Sequence, residues 1–425
     1  MSPMAGRRAA RPATRSIRRY AVTRALDGVR VVELAHFAYV PSAGAVLADW
    51  GADVIKIEHP RHGDPMRGTT IGGIPPGTGG FTFMWEMANR GKRSVGIDLS
   101  TPAGRELLLS FVASADVFLT SFLPGVRERL AVSEADLRAV NPGLVYATGW
   151  GQGPEGPESA AGGYDQTSFW YRAGVASALT GDQPVPPDLP GPGFGDITSG
   201  LALAGGVAAA LVQRARTGEG VLVDGSLLAT GMWMMQPAIA AAEVAELDEF
   251  RFLDRYETQN PLVNAYRTAD GRVIGLCVMK TDKHWAELCE AFGTPELVHD
   301  PRFHDQEART QNAAELVRLL EDVFARHTLT HWTEALGRQT AQWAVVQRGA
   351  DLKDDPQVVA NRYLREVDYG GGRSISLVPA PVQLDRTAPE LRPAPELGAD
   401  TEVVLMEHGV DWDRIEELKA SGIVT

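Results

Sequence analysis

The run Val29-Arg30-Val31-Val32-Glu33-Leu34 is short and dominated by β-branched apolar residues, and reads as a buried strand. It enters the turn Ala35-His36-Phe37-Ala38-Tyr39-Val40-Pro41, then a helix from about Ser42 to Trp50 that stops at Gly51. A second strand, Asp53-Val54-Ile55-Lys56-Ile57-Glu58, follows at once. Strand, helix and strand at this spacing form a right-handed βαβ unit, which requires a parallel sheet. The fold class is therefore α/β, with a large Rossmann-like parallel-sheet domain. The turn after the first strand has no G-x-G-x-x-G, so a dinucleotide-dependent oxidoreductase loses its best supporting motif.

Further strands follow at Ser94 to Leu99, Asp116 to Leu119 and Leu144 to Thr148, with a helix opened by Thr101-Pro102. Glycines then accumulate from Gly149 to Gly163 in a long loop that delivers Tyr164-Asp165. Gly174 to Gly195 is again mostly loop, and loops this long inside a domain are usually functional. From about Arg251 charge and aromatics increase. A hairpin around Tyr266 to Val278 and amphipathic helices at Thr281 to Phe292 and Asn312 to His327 point to a smaller α+β domain. The boundaries read as an arm over 1–25, a large domain over 26–226, linker helices and small domain over 227–350, and a tail over 351–425. A chain of 425 residues, 44% hydrophobic, can fill two or three such cores.

The formal charge of −13 argues against nucleic-acid binding and against anionic membranes. Apolar stretches from Gly200 to Val212 and Leu227 to Val244 are short or broken, so no membrane span and a soluble, cytoplasmic protein are expected. Cys277 and Cys289 have no metal-ligand spacing and read as two buried thiols in a reducing compartment, and no metal site is expected. The arm carries Arg7, Arg8, Arg11, Arg15, Arg18, Arg19 and Arg24 and no acid before Asp27. It reads as a disordered segment, a start placed too early, or a transit-peptide-like leader.

Gly193-Phe194-Gly195-Asp196-Ile197-Thr198-Ser199-Gly200 places a carboxylate between glycines before a helix read from Leu201 to Arg216. Glycine admits close approach of a bulky ligand, and a helix N-terminus favours negative charge, so Asp196 should stay ionised and reachable as a nucleophile. By spacing alone, capping of the helix by Asp196 or Ser199 is the commoner role for such residues. Basic turns at His59 to Gly68 and Asn89 to Arg93 are either phosphate-binding or solvated surface.

Several blocks, in order, resemble the class III CoA-transferase family, which includes formyl-CoA transferase, carnitine CoA-transferase and 2-methylacyl-CoA racemase. They are Leu26 to Glu33, Gly51-Ala52-Asp53-Val54-Ile55-Lys56-Ile57-Glu58, the turn and strand from Lys92 to Leu99, Pro124-Gly125, Gly149-Trp150-Gly151-Gln152-Gly153-Pro154, Gly195-Asp196 and Thr217-Gly218-Glu219-Gly220. The resemblance implies an acyl-CoA:carboxylate CoA-transferase in which Asp196 forms a covalent intermediate. It implies a CoA thioester as substrate with no permanently bound cofactor, a carboxylic acid as second substrate, and an interlocked homodimer. Tyr164-Asp165 stands where the racemases carry a His-Asp pair and looks like the Tyr-acid pair of the formyl-CoA transferase branch. There is no histidine between His62 and His284, which counts against racemisation, the alternative reading. A CoA-binding protein without turnover is a further alternative, disfavoured by the retained Asp196. The resemblance makes Asp196, Asp165 and Tyr164 the catalytic set; Asp165 positions the substrate carboxylate or helps the acyl exchange, or else is a turn cap. By matching position, Phe37 and Ala38 would line the pantetheine path, His59 would meet phosphate, Ile97 would flank adenine, and Phe122, Arg129 and Leu130 would complete the pocket. His59 replaces a family arginine and Ser100 a family lysine. The glycine-rich flap of formyl-CoA transferase has no counterpart near Asn260 to Asn264, which argues against formyl-CoA and oxalate.

Overall fold

The computed structural model describes residues 24–181, 183–248 and 254–425; the Arg-rich arm lies outside them but for its last residues. Two compact units are present. The first holds the described residues up to Asp165, Gly191–Thr230 and Arg365–Thr425, and the second holds Gln166–Pro190 and Gly231–Leu364. The units therefore interleave along the chain more than a division at 226 and 350 would have them.

The first unit is built on β1 (Arg30–Leu34), α1 (Tyr39–Asp49), β2 (Asp53–Glu58), α2 (Phe83–Asn89), β3 (Arg93–Gly96), α3 (Pro102–Val112), β4 (Val117–Thr120), α4 (Pro124–Leu130), α5 (Glu134–Val140) and β5 (Val145–Trp150). After a helix of the second unit, α6 (Val175–Thr180), it resumes with α7 (Phe194–Thr217) and β6 (Leu222–Ser226). The strands form one sheet in the order β3-β2-β1-β4-β5-β6, every neighbouring pair parallel. This is a doubly wound arrangement, and its order reverses between β1 and β4. The central strands are buried on both faces, which explains their near-continuous apolar sequence. Local signals start the helices: Thr101 caps α3 ahead of Pro102, and Ser133 with Asp136 forms a capping box on α5.

The tail returns to the sheet edge. The Asp98 N–H donates to the Ile423 carbonyl at 2.8 Å, the Ser94 N–H donates to Asp400 at 2.8 Å, and Val424, 3% exposed, bridges to Ile97. In the second unit, β7 (Val263–Arg267), β8 (Val273–Cys277) and β9 (Trp343–Val345) form an antiparallel sheet packed on helices Thr281–Phe292, Ala313–Phe324 and Leu329–Leu336. Its core includes Tyr266, Trp285, Phe303, Phe324 and Trp332.

Three readings change. Asp196 lies inside α7, in its first turn, rather than ahead of a helix beginning at Leu201; apolar periodicity cannot see a first turn made of glycine and polar residues. That helix has 24 residues and meets the length and hydropathy of a membrane span, although its sequence looked too short; here it packs along α1, with Gly200 against the Tyr39 carbonyl. The thiols also differ: Cys289 is buried, but Cys277, on the outward face of β8, is exposed.

Candidate active site

A cavity of about 630 Å³ opens along the carboxyl ends of β3, β2, β1, β4 and β5, where the sheet order reverses. This is where open parallel sheets take ligands, because the connecting loops diverge there and leave a crevice. Leu34 and His36 enter it after β1, Ile57 to His59 after β2, Ile97 to Ser100 after β3, Ser121 to Leu123 after β4, and Gly149 to Gly151 after β5.

Asp196 lies at this cavity, brought there by the start of α7. Gly193, at φ 71°, turns the chain into the helix and supplies no side-chain cap. The cap comes from elsewhere: Asp165 Oδ1 accepts the Gly195 N–H at 2.9 Å, and the Phe194 N–H also favours its charged form. Burial nevertheless raises the Asp165 pKa. Asp196 is raised further, to about 7, by burial first and by the Asp165 charge second. The sequence reading has the helix N-terminus keep this carboxylate ionised; desolvation and a neighbouring carboxylate act against that charge. Neither Asp196 nor Ser199 caps the helix; the Ser199 hydroxyl is fully buried without a hydrogen-bond partner among the described residues.

Of the other candidates, Tyr164, Phe37, His59, Ile97, Phe122, Arg129 and Leu130 all line the cavity. The Tyr164 ring stands edge-on to Phe37 at 5.9 Å. Ala38 does not line it: the residue is 1% exposed and packs with Met66, Met84 and Trp85, because the chain has already turned into α1. Asp165 is not a lining residue either and reaches the site through the α7 backbone. His59 Nδ1 accepts the Arg61 and His62 N–H groups at 3.1 and 3.3 Å, which leaves Nε2 as a donor. Ser100 donates to Asp98, which holds that carboxyl below its ordinary value.

The sequence reading missed His36, Tyr39 and Trp150, which also line the cavity. His36 is held edge-on to Phe122 at 4.8 Å, and burial lowers its pKa, so it is neutral at pH 7. It brings to the cavity an imidazole, a group the Gly-rich loop does not carry. Its signal was its position, immediately beyond the carboxyl end of a central strand. The Trp150 Nε1 donates to Asp224 at 2.7 Å. Glycine is required where the loop passes itself: a Cβ on Gly151 would stand 2.6 Å from the Gly163 Cα. Backbone N–H groups can then approach the cavity closely.

Beneath the site lies a buried ionic cluster. Lys56 Nζ is 3.0 Å from Glu33 Oε1, 2.8 Å from the Ala35 carbonyl and 2.9 Å from Asp64 Oδ2. Lys92 Nζ is 2.7 Å from Glu33 Oε2, 2.8 Å from the Pro41 carbonyl and 2.9 Å from Asn89 Oδ1. Burial opposes the charge on Lys56, but Asp64, Glu33 and Glu58 together hold its pKa above the ordinary value. On Lys92 burial prevails over the attraction of Glu33 and lowers the pKa to about 7. Phe37 stands between β1 and α1 at φ 64°, a left-handed conformation that costs a side-chain-bearing residue about 1–2 kcal/mol.

Comparison with known proteins agrees with this geometry. Residues 26–401 match the model of CoA-transferase family III. The chain is 32% identical to the (R)-2-hydroxy-4-methylpentanoate CoA-transferase of Clostridioides difficile, over 94% of this chain and 99% of that one. It is also 32% identical to the cinnamoyl-CoA:phenyllactate CoA-transferase of Clostridium sporogenes, over 93% and 96%. A CAIB/BAIF family protein from Brucella suis superimposes with a TM-score of 0.78 at 28% identity, covering 91% of this chain and 100% of that one. The chain belongs to CoA-transferase family III. It is an enzyme of acyl-CoA:carboxylate CoA transfer, with a CoA thioester and a carboxylate as its substrates.

Proposed function

We propose that transfer proceeds through covalent intermediates on Asp196, carried by one observation: this carboxylate, at the first turn of α7, lines the same cavity as Gly149, Gly151, Gly162 and Gly163. One Asp196 oxygen attacks the thioester carbonyl, and the CoA thiolate leaves to give a mixed anhydride. The thiolate then attacks the aspartyl carbonyl of that anhydride, releasing the donor acid and leaving CoA as an aspartyl thioester. The acceptor carboxylate attacks this thioester and expels the thiolate, which takes the acyl group from the new anhydride and restores Asp196. Backbone N–H groups of Gly149 to Gly151 and Gly162 to Gly163 are the donors for the oxyanions. Asp165 positions Asp196 by capping its helix. Phe37, His59, Ile97, Phe122, Arg129 and Leu130 hold the CoA moiety, with the Arg129 fork and the His59 Nε2–H toward its phosphates.

The acid is a 2-hydroxy acid bearing an apolar group. Two relatives named above act on 2-hydroxy-4-methylpentanoate and on phenyllactate, and the rings of Phe37 and Tyr164, edge to face at 5.9 Å, line the same cavity as Asp196 here.

The test uses a panel of acyl-CoA thioesters with ¹⁸O-carboxylate acids. CoA exchange with ¹⁸O passing from the acceptor into the released donor acid is expected, because the label must stay on Asp196 for one turnover. Exchange without that label movement overturns the covalent route. Deuterium uptake at the α-carbon without exchange would assign racemisation instead and overturn the transfer reading.

A further inference from the structure

The turn from Ala35 into Tyr39, the first residue of α1, carries His36, Phe37 and Tyr39 to the cavity without a glycine. Nothing in its own sequence favours the left-handed Phe37. The conformation is imposed from below, at successive points along the turn. The Ala35 carbonyl accepts from Lys56, the His36 N–H donates to Ser121 Oγ at 3.1 Å, and the Phe37 N–H donates to Asp64 Oδ1 at 3.1 Å. Beyond the turn, the Pro41 carbonyl accepts from Lys92. Glu33 on β1 joins the two lysines, and Asp64 is itself oriented by its own N–H on Glu58 at 3.0 Å and by the Met66 N–H at 2.9 Å. Each lysine nitrogen therefore has oxygen partners on three residues in a place that water does not reach.

We propose that the Lys56–Asp64 pair, backed by Glu33 and Lys92, is a positioning device that presets the acyl-CoA cavity by fixing the β1–α1 turn. This rests on reading the cavity as the acyl-CoA site. A buried cluster kept only to hold the fold together would connect strand to strand or strand to helix. This one instead directs the Lys56 contact with the Ala35 carbonyl and an oxygen of Asp64 to the turn itself, and the Lys92 contact to Pro41 in the first turn of α1. Asp64 acts through Phe37 and touches no substrate, as it does not line the cavity.

The experiment measures CoA affinity by calorimetry and steady-state transfer kinetics on the full chain. Asp64→Ala is expected to raise the Kd for CoA and the KM for acyl-CoA about tenfold, with kcat at saturation changed much less. Asp64→Asn, which keeps an oxygen for the Phe37 N–H but sets an amide NH2 against the buried Lys56, should recover only part of that loss. In a Phe37→Gly background, where the left-handed turn needs no clamp, Asp64→Ala should add little. Unchanged CoA affinity in a folded Asp64→Ala, or its full effect persisting beside Phe37→Gly, overturns the proposal. Should Asp64→Ala not fold, hydrogen exchange at the Phe37 amide of the wild-type protein decides the matter: strong protection supports the clamp, and exchange at the rate of an open loop overturns it. Failure of the wild-type protein to bind CoA would instead overturn the reading of the cavity.

Discussion

At the scale of single residues, Asp196 is the group whose environment and task pull in opposite directions. Its carboxyl is raised to about 7 by burial and by Asp165, yet a nucleophile must be ionised. Transfer should therefore fall as pH drops through about 7, and a kcat/KM profile from pH 5 to 9 should show that limb. Asp165→Asn removes the neighbouring charge and should move the limb to lower pH. Asp196→Asn should lower kcat by about a thousandfold or more while CoA still binds, as calorimetry would show. The same substitution should raise stability above pH 7. The unfolded carboxyl ionises near 4 and the folded one near 7, so wild-type stability declines as pH rises between them and is lowest above the folded value. An advantage of about 1–2 kcal/mol for Asp196→Asn at pH 8, vanishing below pH 4, is expected in thermal melts; the full shift is discounted because the carboxylate opens to the cavity.

At the scale of elements, α1 and α7 lie so close that a Cβ on Gly200 would stand 2.7 Å from the Tyr39 carbonyl and from the Ser42 Cβ. Backbone cannot yield as a flexible side chain can. Gly200→Ala should cost about 1–3 kcal/mol in denaturant unfolding and reduce activity by displacing the first turn of α7. The sequence made much of this architecture legible: β1, α1 and β2 follow from apolar runs and a glycine stop, and Thr101-Pro102 marks the start of α3. It placed Phe37, His59, Ile97, Phe122, Arg129, Leu130, Tyr164 and Asp196, which all fall on one cavity. What stayed hidden has a common cause. The inward turn of Ala38, the entry of His36 and the Asp165 cap on α7 depend on long-range approach, which leaves no periodicity in the chain. The buried role of Lys56 and Lys92 was hidden similarly, since a charged residue in sequence reads as surface.

At the scale of the whole molecule, the tail completes a wall of the cavity. Ile423 and Val424 fasten the segment from Ile97 to Ser100 by a carbonyl bond and a bridge, and that segment lines the proposed adenine end. Deleting residues 422–425 should weaken CoA binding several-fold and lower the melting temperature, both measurable on the same sample. The exposed Met232, Trp233, Met234 and Ile239 of the helix Leu227–Val244 support a proposed homodimer, which light scattering of the full chain would reveal as twice the chain mass. The ionic cluster beneath the turn has one more consequence. Anhydrides and thioesters acylate free amines and thiols, and an enzyme that makes them each turnover risks modifying itself. Among the described residues, the cavity wall contains no lysine and no cysteine, and the nearby Lys56 and Lys92 are sealed among oxygen partners, each fully buried at its side chain. The two amines that fix the shape of the site are thereby withheld from its chemistry.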